Sequence, residues 1–204
     1  MMYNRIKNTK FTLLFMALIL FSCGHQYSPE RFHKWVKNNP EFQKEKVQDG
    51  YFFQANYLPK ELMILREYGN EISPQEYDLR KTDFDSLQYF SLKIGAQDKQ
   101  NNVLKHRLAT ADDYHRRIEY FVAKAQDEFY LQKGEEYVKC QLYHFERYYN
   151  SVPYDVLMLG FPNFKDPSTK EKIILKYFDK VLGLGQISFE FESQQLYHIP
   201  KLNL

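Results

Sequence analysis

The chain has 204 residues, a formal net charge of +2 and an unusually aromatic composition, with 17 Phe and 17 Tyr. Gly and Pro are modest at 8 each, a balance that favours a packed, sheet-containing domain and argues against a disordered stalk. The length suits one globular domain, and the sequence has no internal repeat of solenoid or propeller period.

The first 22 residues have the pattern of an export signal. Arg5, Lys7 and Lys10, with no acidic residue among them, precede the apolar segment FTLLFMALILF of residues 11–21. A helix that crosses a bilayer needs about 20 apolar residues, and this segment ends after about half that length. The pattern therefore predicts a signal peptide rather than a membrane-spanning helix.

Four residues end this segment: Leu20, Phe21, Ser22 and Cys23. They resemble the lipobox of bacterial lipoprotein precursors, in which an aliphatic residue and two smaller residues precede a cysteine. Phe21 departs from that pattern, which usually has a small or β-branched residue there. The resemblance covers only this segment. It implies diacylglycerol on the Cys23 sulfur, cleavage before Cys23 and a further acyl chain on the new amino terminus. The alternative is an ordinary secretory signal that contains a cysteine.

Lipidation at Cys23 would change the working protein in two ways. Two or more acyl chains give stable membrane anchoring. The mature chain of 182 residues has 25 basic and 26 acidic residues, a net charge of −1, so no sign of nucleic-acid binding is left.

The mature chain is predicted to comprise a short tether of residues 23–27 and one domain of residues 28–204. The tether lacks the acidic cluster that directs some lipoproteins to the cell surface, which favours a location in the cell envelope facing the periplasm.

Cys140 has no disulfide partner once Cys23 is lipidated. Its neighbours Val138 and Leu142 predict a buried, inert thiol.

Helices are predicted mostly in the first 125 residues. Ser28, Ser73 and Thr110 have the pattern of N-cap residues, and Pro59 opens a further helix. Trp35 in the first helix is predicted to lie in the core, with a membrane-interface anchor as the alternative. The helix after Thr110 has one apolar face, which consists of Tyr114, Ile118, Phe121 and Val122.

Strands are predicted before and after these helices. Residues 42–57 read as a hairpin around Asp49 and Gly50, and residues 87–94 are rich in strand-forming residues. Five further strands joined by short links are predicted in residues 128–132, 136–149, 154–161, 172–178 and 185–191. The predicted fold class is α+β, with N-terminal helices packed on an antiparallel, largely meander β-sheet.

No catalytic motif, metal-ligand spacing or phosphate loop is present in the sequence, so no cofactor and no metal site are predicted. One polar cluster is a candidate site. In a strand, His144 and Glu146 point to one face, where a partly desolvated carboxyl beside a histidine suits proton transfer or cation binding. The alternative is that the strand simply leaves the core for solvent there. His115 and His198 are predicted to have no catalytic role.

Three functions are compatible with this sequence. The favoured one is a non-enzymatic envelope lipoprotein that binds a protein, glycan or small-molecule partner on an open sheet face or cleft lined by Tyr and Phe. The second is a membrane-tethered envelope hydrolase that uses His144 and Glu146. The third is a carrier of an apolar ligand inside a curved sheet.

Overall fold

We describe the protein from a computed structural model, which defines residues 26–148, 151–165 and 170–204. The predicted signal peptide and the lipobox cysteine, Cys23, lie outside the described residues. Within them, helices and strands combine into two antiparallel sheets with helices around them. The predicted α+β class with antiparallel strands is confirmed.

The helices begin at the predicted caps. The Ser28 Oγ accepts a hydrogen bond from the Arg31 amide, the Ser73 Oγ from the Glu76 amide, and Thr110 forms a capping box with Asp113. In chain order the helices are α1 (Pro29–Asn38), α2 (Lys60–Tyr68), α3 (Pro74–Phe84), α4 (Ala111–Glu119) and α5 (Ser193–Tyr197).

Short helical turns extend two of these helices. A 3-10 turn (Pro40–Phe42) follows α1, and α4 continues as a π-helical turn (Tyr120–Lys124) and a 3-10 turn (Ala125–Glu128). The wider π turn shifts the following residues away from the 3.6-residue period. Val122, predicted on the buried face, is therefore 55% exposed, while Phe121 is fully buried.

In the described parts of the chain, nine strands are divided between the two sheets. The five-stranded sheet has the order β1-β2-β3-β7-β6, and the four-stranded sheet has the order β5-β4-β8-β9. The strands are β1 (Gln43–Gln48), β2 (Tyr51–Leu58), β3 (Leu87–Ala96), β4 (Phe129–Lys133), β5 (Glu136–Lys139), β6 (Leu142–Glu146), β7 (Tyr154–Pro162), β8 (Lys172–Asp179) and β9 (Gly185–Glu192).

The predicted hairpin is present. Gln48 pairs with Tyr51, so Asp49 and Gly50 form a two-residue connection between β1 and β2. Both have positive φ, 48° and 79°, which is the conformation of the tight turns that match the twist of paired strands.

The five C-terminal strands do not form a single meander, because the predicted strand of residues 136–149 crosses from one sheet to the other. The Cys140 amide donates to the Phe129 carbonyl of β4, whereas the next amide, that of Gln141, donates to the Gly160 carbonyl of β7. The chain thus changes sheets within one peptide unit, with neither Gly nor Pro to indicate it. The thiol of Cys140 is buried at this crossing, as predicted, and burial raises its pKa to about 12.

Aromatic side chains fill the space between the sheets. The Phe90 ring on β3 lies 5.4 Å from Tyr57 and 6.0 Å from Phe161 in its own sheet, and 5.4 Å from Phe191 on β9. Phe129 and Tyr177 stack at 4.6 Å in the four-stranded sheet. Since this interior is filled by rings, the high Phe and Tyr content is largely explained by packing between the sheets.

Candidate functional site

A cleft of about 520 Å³ lies between helices α1 and α2 and the outer face of the five-stranded sheet. The outer face is the side of the sheet that does not pack against the four-stranded sheet. Strands β1, β2 and β3 supply the floor, α1 supplies His33 and Lys37, and α2 supplies Leu62 and Arg66. The cleft therefore brings one stretch of the chain, residues 33–66, together with the more distant strand β3.

Polar side chains form the floor of the cleft, and Lys93 is the charged one among them. The strand register places Gln43, Asn56 and Ser91 in one row across β1, β2 and β3, and Glu45, Gln54 and Lys93 in the next, with Glu45 outside the lining of the cleft. The Gln54 Nε2 donates to the Asn56 Oδ1 at 3.0 Å, and the Asn56 Nδ2 donates to the Ser91 Oγ at 3.1 Å. These bonds hold amide and hydroxyl groups at the cleft surface in fixed orientations.

Three cations line the cleft: Lys37 on α1, Arg66 on α2 and Lys93 on β3. No carboxylate is among the described residues that line it. The Lys93 Nζ lies 5.2 Å from the centre of the Tyr154 ring. Burial lowers the pKa of Lys93; the nearby Glu45 carboxylate opposes this and the charge of Lys37 adds to it. The cleft is thus lined by three positive charges, of which Lys93 is half-buried while Lys37 and Arg66 are exposed.

Apolar side chains form another part of the cleft wall. Val36, Phe42, Tyr57, Leu58 and Leu62 belong to the hydrophobic core and also line the cleft. A concave apolar wall beside a few fixed polar and charged groups is the usual composition of a small-molecule site. The arrangement fits an anion that also carries an apolar part, because the cations and amides suit the charge and the core side chains suit the rest.

The predicted pair of His144 and Glu146 lies on the same outer face, near the other edge of the sheet. In the strand register, Glu146 of β6 lies opposite Val156 of β7, which lies opposite Lys93 of β3. In the next row, His144 lies opposite Met158, which lies opposite Ser91. Two strand spacings, about 10 Å, separate the pair from the nearest cleft residues. The structure therefore does not bring the pair into the cleft.

Neither member of this pair has the surroundings of a catalytic group. The Glu146 carboxylate accepts a hydrogen bond from the Tyr148 hydroxyl at 2.7 Å. His144 is exposed, and its ring makes no hydrogen bond within the described parts of the chain. Among those residues, no three His, Cys, Asp or Glu side chains are grouped closely enough to hold a metal ion.

His115 and His198, which are predicted to have no catalytic role, lie away from the cleft. His115 is exposed on α4, with its ring 5.9 Å from that of Tyr114, and the His198 Nδ1 lies 2.5 Å from the Gln194 carbonyl oxygen. None of the helices in the described part of the chain combines the length and apolarity needed to cross a membrane.

Sequence reasoning missed the three cations of the cleft. Lys37 is in the last turn of α1, Arg66 is in the last turn of α2, and Lys93 alternates with buried residues in β3. Each position looks like an ordinary solvated one, since basic residues are favoured in the last turn of a helix and polar residues alternate in a strand. Only the pairing of distant segments reveals the site.

Comparisons with known proteins leave the chain without a family. No family model matches it, and no curated protein matches it. A crystal structure of a novel protein of unknown function from Burkholderia pseudomallei K96243 is 7% identical and has a TM-score of 0.37. The match covers 85% of this chain and 94% of that one. A likeness this low establishes neither the fold nor a function, so the cleft has to be interpreted from its own geometry.

Proposed function

We propose that the chain is a lipid-anchored lipoprotein of the bacterial cell envelope, facing the periplasm, whose folded domain binds an anionic ligand with an apolar part. The binding site is the cleft between α1, α2 and the outer face of the five-stranded sheet. The protein acts by binding rather than by catalysis.

The anchor part of this proposal rests on the first 23 residues. A basic segment, a short apolar segment and a terminal cysteine, Cys23, follow one another in the order of a lipoprotein signal. The described domain begins within a few residues of Cys23, which is the arrangement expected of a domain tethered close to a bilayer.

The binding part rests on one observation: Lys37, Arg66 and Lys93 line one cleft that contains no carboxylate among its described lining residues. Three positive charges around one cleft attract an anion that enters it, most strongly beside Lys93, which is half-buried. Hydrogen bonds to charged groups contribute about 1.5–3 kcal/mol each. An anion that accepts hydrogen bonds from these groups in the cleft is therefore favoured.

The binding site can be tested with 1-anilinonaphthalene-8-sulfonate, which combines a sulfonate with aromatic rings. A chain that starts at Gly24 retains every described element and avoids binding of the probe to lipid. We expect saturable fluorescence enhancement that weakens with added salt and with inorganic phosphate. Replacement of Arg66→Gln or Lys93→Gln should each weaken binding about tenfold.

Lys172→Gln on the four-stranded sheet is the matched control, since it removes one positive charge outside the cleft. It should leave the affinity within about twofold of wild type. Circular dichroism would confirm that all variants are folded. Equal affinities for wild type and the cleft variants would overturn the proposed site.

The anchor is tested separately with the full-length precursor in a bacterial host. Wild type should incorporate labelled fatty acid and sediment with membranes, whereas Cys23→Ser should do neither. A Cys23→Ser variant that stays membrane-bound, together with unlabelled wild type, would show that the proposed lipidation is wrong.

A further inference from the structure

The amino-terminal end of the folded domain is fixed at Tyr27. Its amide donates to the Lys201 carbonyl at 2.9 Å, and its carbonyl accepts from the Asn203 amide at 2.9 Å. Its ring lies 6.3 Å from that of Trp35 on α1, and the Arg31 guanidinium lies 5.9 Å from the ring centre. Tyr27 is thus held by both the C-terminal segment and α1.

The chain between Tyr27 and the proposed lipid is short. Three residues, 24–26, separate Tyr27 from Cys23. A fully extended chain advances at most about 3.6 Å per residue, so Tyr27 lies within about 14 Å of Cys23 in any conformation. The headgroup layer on each side of a bilayer is about 5–8 Å thick. If Cys23 carries the anchor, the surface around Tyr27 is within reach of the headgroups.

The α1 side of this surface is basic. A groove beside Tyr27 is lined on α1 by Arg31, Lys34, Trp35 and Asn38, and its described lining contains no carboxylate. Arg31, Lys34 and Asn38 are exposed and follow one another at helical spacing, so they share one face of α1. Basic residues near an anionic membrane surface are attracted within a Debye length, about 8–10 Å.

The other side of Tyr27 has a different character. A second groove there is lined by the C-terminal segment, which includes Lys201, and by Glu61, Asp78 and Lys81. Its two carboxylate side chains balance its two lysines, so this side has no excess of positive charge to attract anionic lipid. Of the two sides of Tyr27, the α1 side is the one with charge complementary to the membrane.

We propose that the α1 face formed by Tyr27, Arg31, Lys34 and Asn38 is the surface that lies against the anionic headgroups of the anchoring membrane. This inference rests on the proposed lipid anchor at Cys23. It adds an orientation: Asn38 lines both the α1 groove and the anion-binding cleft, so the cleft opens beside the bilayer rather than away from it.

The test uses the mature lipidated protein, purified from a bacterial host and reconstituted in vesicles that contain a nitroxide-headgroup phospholipid. A thiol-reactive fluorophore is placed at Asn38→Cys or, as the matched control, at Val122→Cys. Val122 is exposed on the π turn that packs beside β6, at the opposite edge of the five-stranded sheet from β1. Four strand spacings, about 19 Å, separate these edges. Cys140 is buried and Cys23 is acylated, so unmodified protein gives the labelling blank.

In vesicles that contain phosphatidylglycerol we expect at least twofold stronger quenching at position 38 than at position 122. The double replacement Arg31→Gln with Lys34→Gln should reduce the difference, as should high salt, while the protein stays vesicle-bound through its lipid. Vesicle-bound protein with equal quenching at both positions would overturn the orientation and leave the anchor intact. Protein that does not float with vesicles at all would overturn the anchor, and the orientation with it.

Discussion

The outer faces of the two sheets carry basic side chains in opposite electrostatic surroundings. On the four-stranded sheet, the Lys172 Nζ lies 2.9 Å from a Glu190 oxygen and 3.5 Å from a Glu192 oxygen. On the five-stranded sheet, neither Lys93 nor its cleft neighbours Lys37 and Arg66 forms an ion pair with a carboxylate of residues 26–148, 151–165 or 170–204.

The positive charge of Lys172 is neutralised by carboxylates of the protein itself, whereas the cations of the cleft form no such ion pair within the described residues. An exposed ion pair contributes about 0–1 kcal/mol and serves solubility. Cations that line one cleft and form no ion pair with a described carboxylate are instead available to an outside anion. Changes to paired and to unpaired charges should therefore have effects of different size.

The largest effect is expected from two buried carboxylates, Asp179 and Asp155, which differ in their hydrogen bonding. Asp179 accepts hydrogen bonds from the Tyr177 hydroxyl and from the amides of Val181, Leu182 and Leu184. Asp155 is 1% exposed, and neither carboxylate oxygen has a hydrogen-bond partner among the described groups. Burial raises the pKa of Asp155 from 3.8 to about 6; the nearby Leu104 and Val103 amides, which approach without hydrogen-bond geometry, and the Arg147 guanidinium oppose this increase.

Because the folded pKa of Asp155 is above the unfolded one, the unfolded state ionises first as the pH rises. The free energy of unfolding should therefore fall by up to about 3 kcal/mol between pH 4 and pH 7, and Asp155→Asn should lack this component. Urea denaturation at several pH values measures both profiles. Parallel profiles for wild type and Asp155→Asn would show that the Asp155 carboxyl is not desolvated as described.

Binding of the sulfonate probe should depend on alkaline pH through Lys93. Its ammonium attracts the anion only while protonated, and burial lowers the pKa of Lys93 below the ordinary 10.5. Affinity should be constant at neutral pH and fall about tenfold as the pH rises through this lowered pKa. Lys93→Arg keeps its charge at these pH values and should show a smaller fall. If both proteins gave the same profile, the titrating group would be another one.

Replacement of Glu45→Gln should strengthen probe binding about twofold to threefold. Glu45 lies in the same row of the sheet as Lys93, with Gln54 between them, and its carboxylate raises the pKa of Lys93. Removing an exposed negative charge near the cleft makes the potential there more positive. The binding free energy of the probe should improve by less than about 1 kcal/mol, because solvent screens the charge. Fluorescence titration at low and high salt measures the gain, which should disappear at high salt. A weaker affinity would contradict the electrostatic account of the cleft.

The smallest effect is expected on the four-stranded sheet. Since the Lys172 ion pairs are exposed, Lys172→Gln should change the free energy of unfolding by less than about 1 kcal/mol. Urea denaturation at neutral pH measures it. A larger loss would mean that paired surface charges stabilise this sheet more than the comparison assumes.

Local features of the fold could be predicted from the sequence. N-caps at Ser28, Ser73 and Thr110, and the Asp49-Gly50 turn, are set by residues that are close in sequence. From these residues the helix starts, the first hairpin and the α+β class could be predicted correctly.

Features that depend on distant segments could not be predicted in this way. The crossing at Cys140 follows from two hydrogen bonds to different sheets, and the exposure of Val122 follows from a π turn that has no sequence signal. The cleft depends on the pairing of β2 with β3 and on the position of two helices above them. His144 and Glu146 do lie on one face of one strand, but the strand register places them two strand spacings from the cleft.

The most direct test of the proposed cleft is amide chemical-shift mapping of the chain from Gly24 during titration with 1-anilinonaphthalene-8-sulfonate. We expect the largest shifts in α1, α2, β2 and β3, where Lys37, Arg66 and Lys93 lie, and little change in β4 and β8. Largest shifts on the four-stranded sheet, or no localised shifts at a saturating concentration of the probe, would contradict the assignment of the cleft as the binding site.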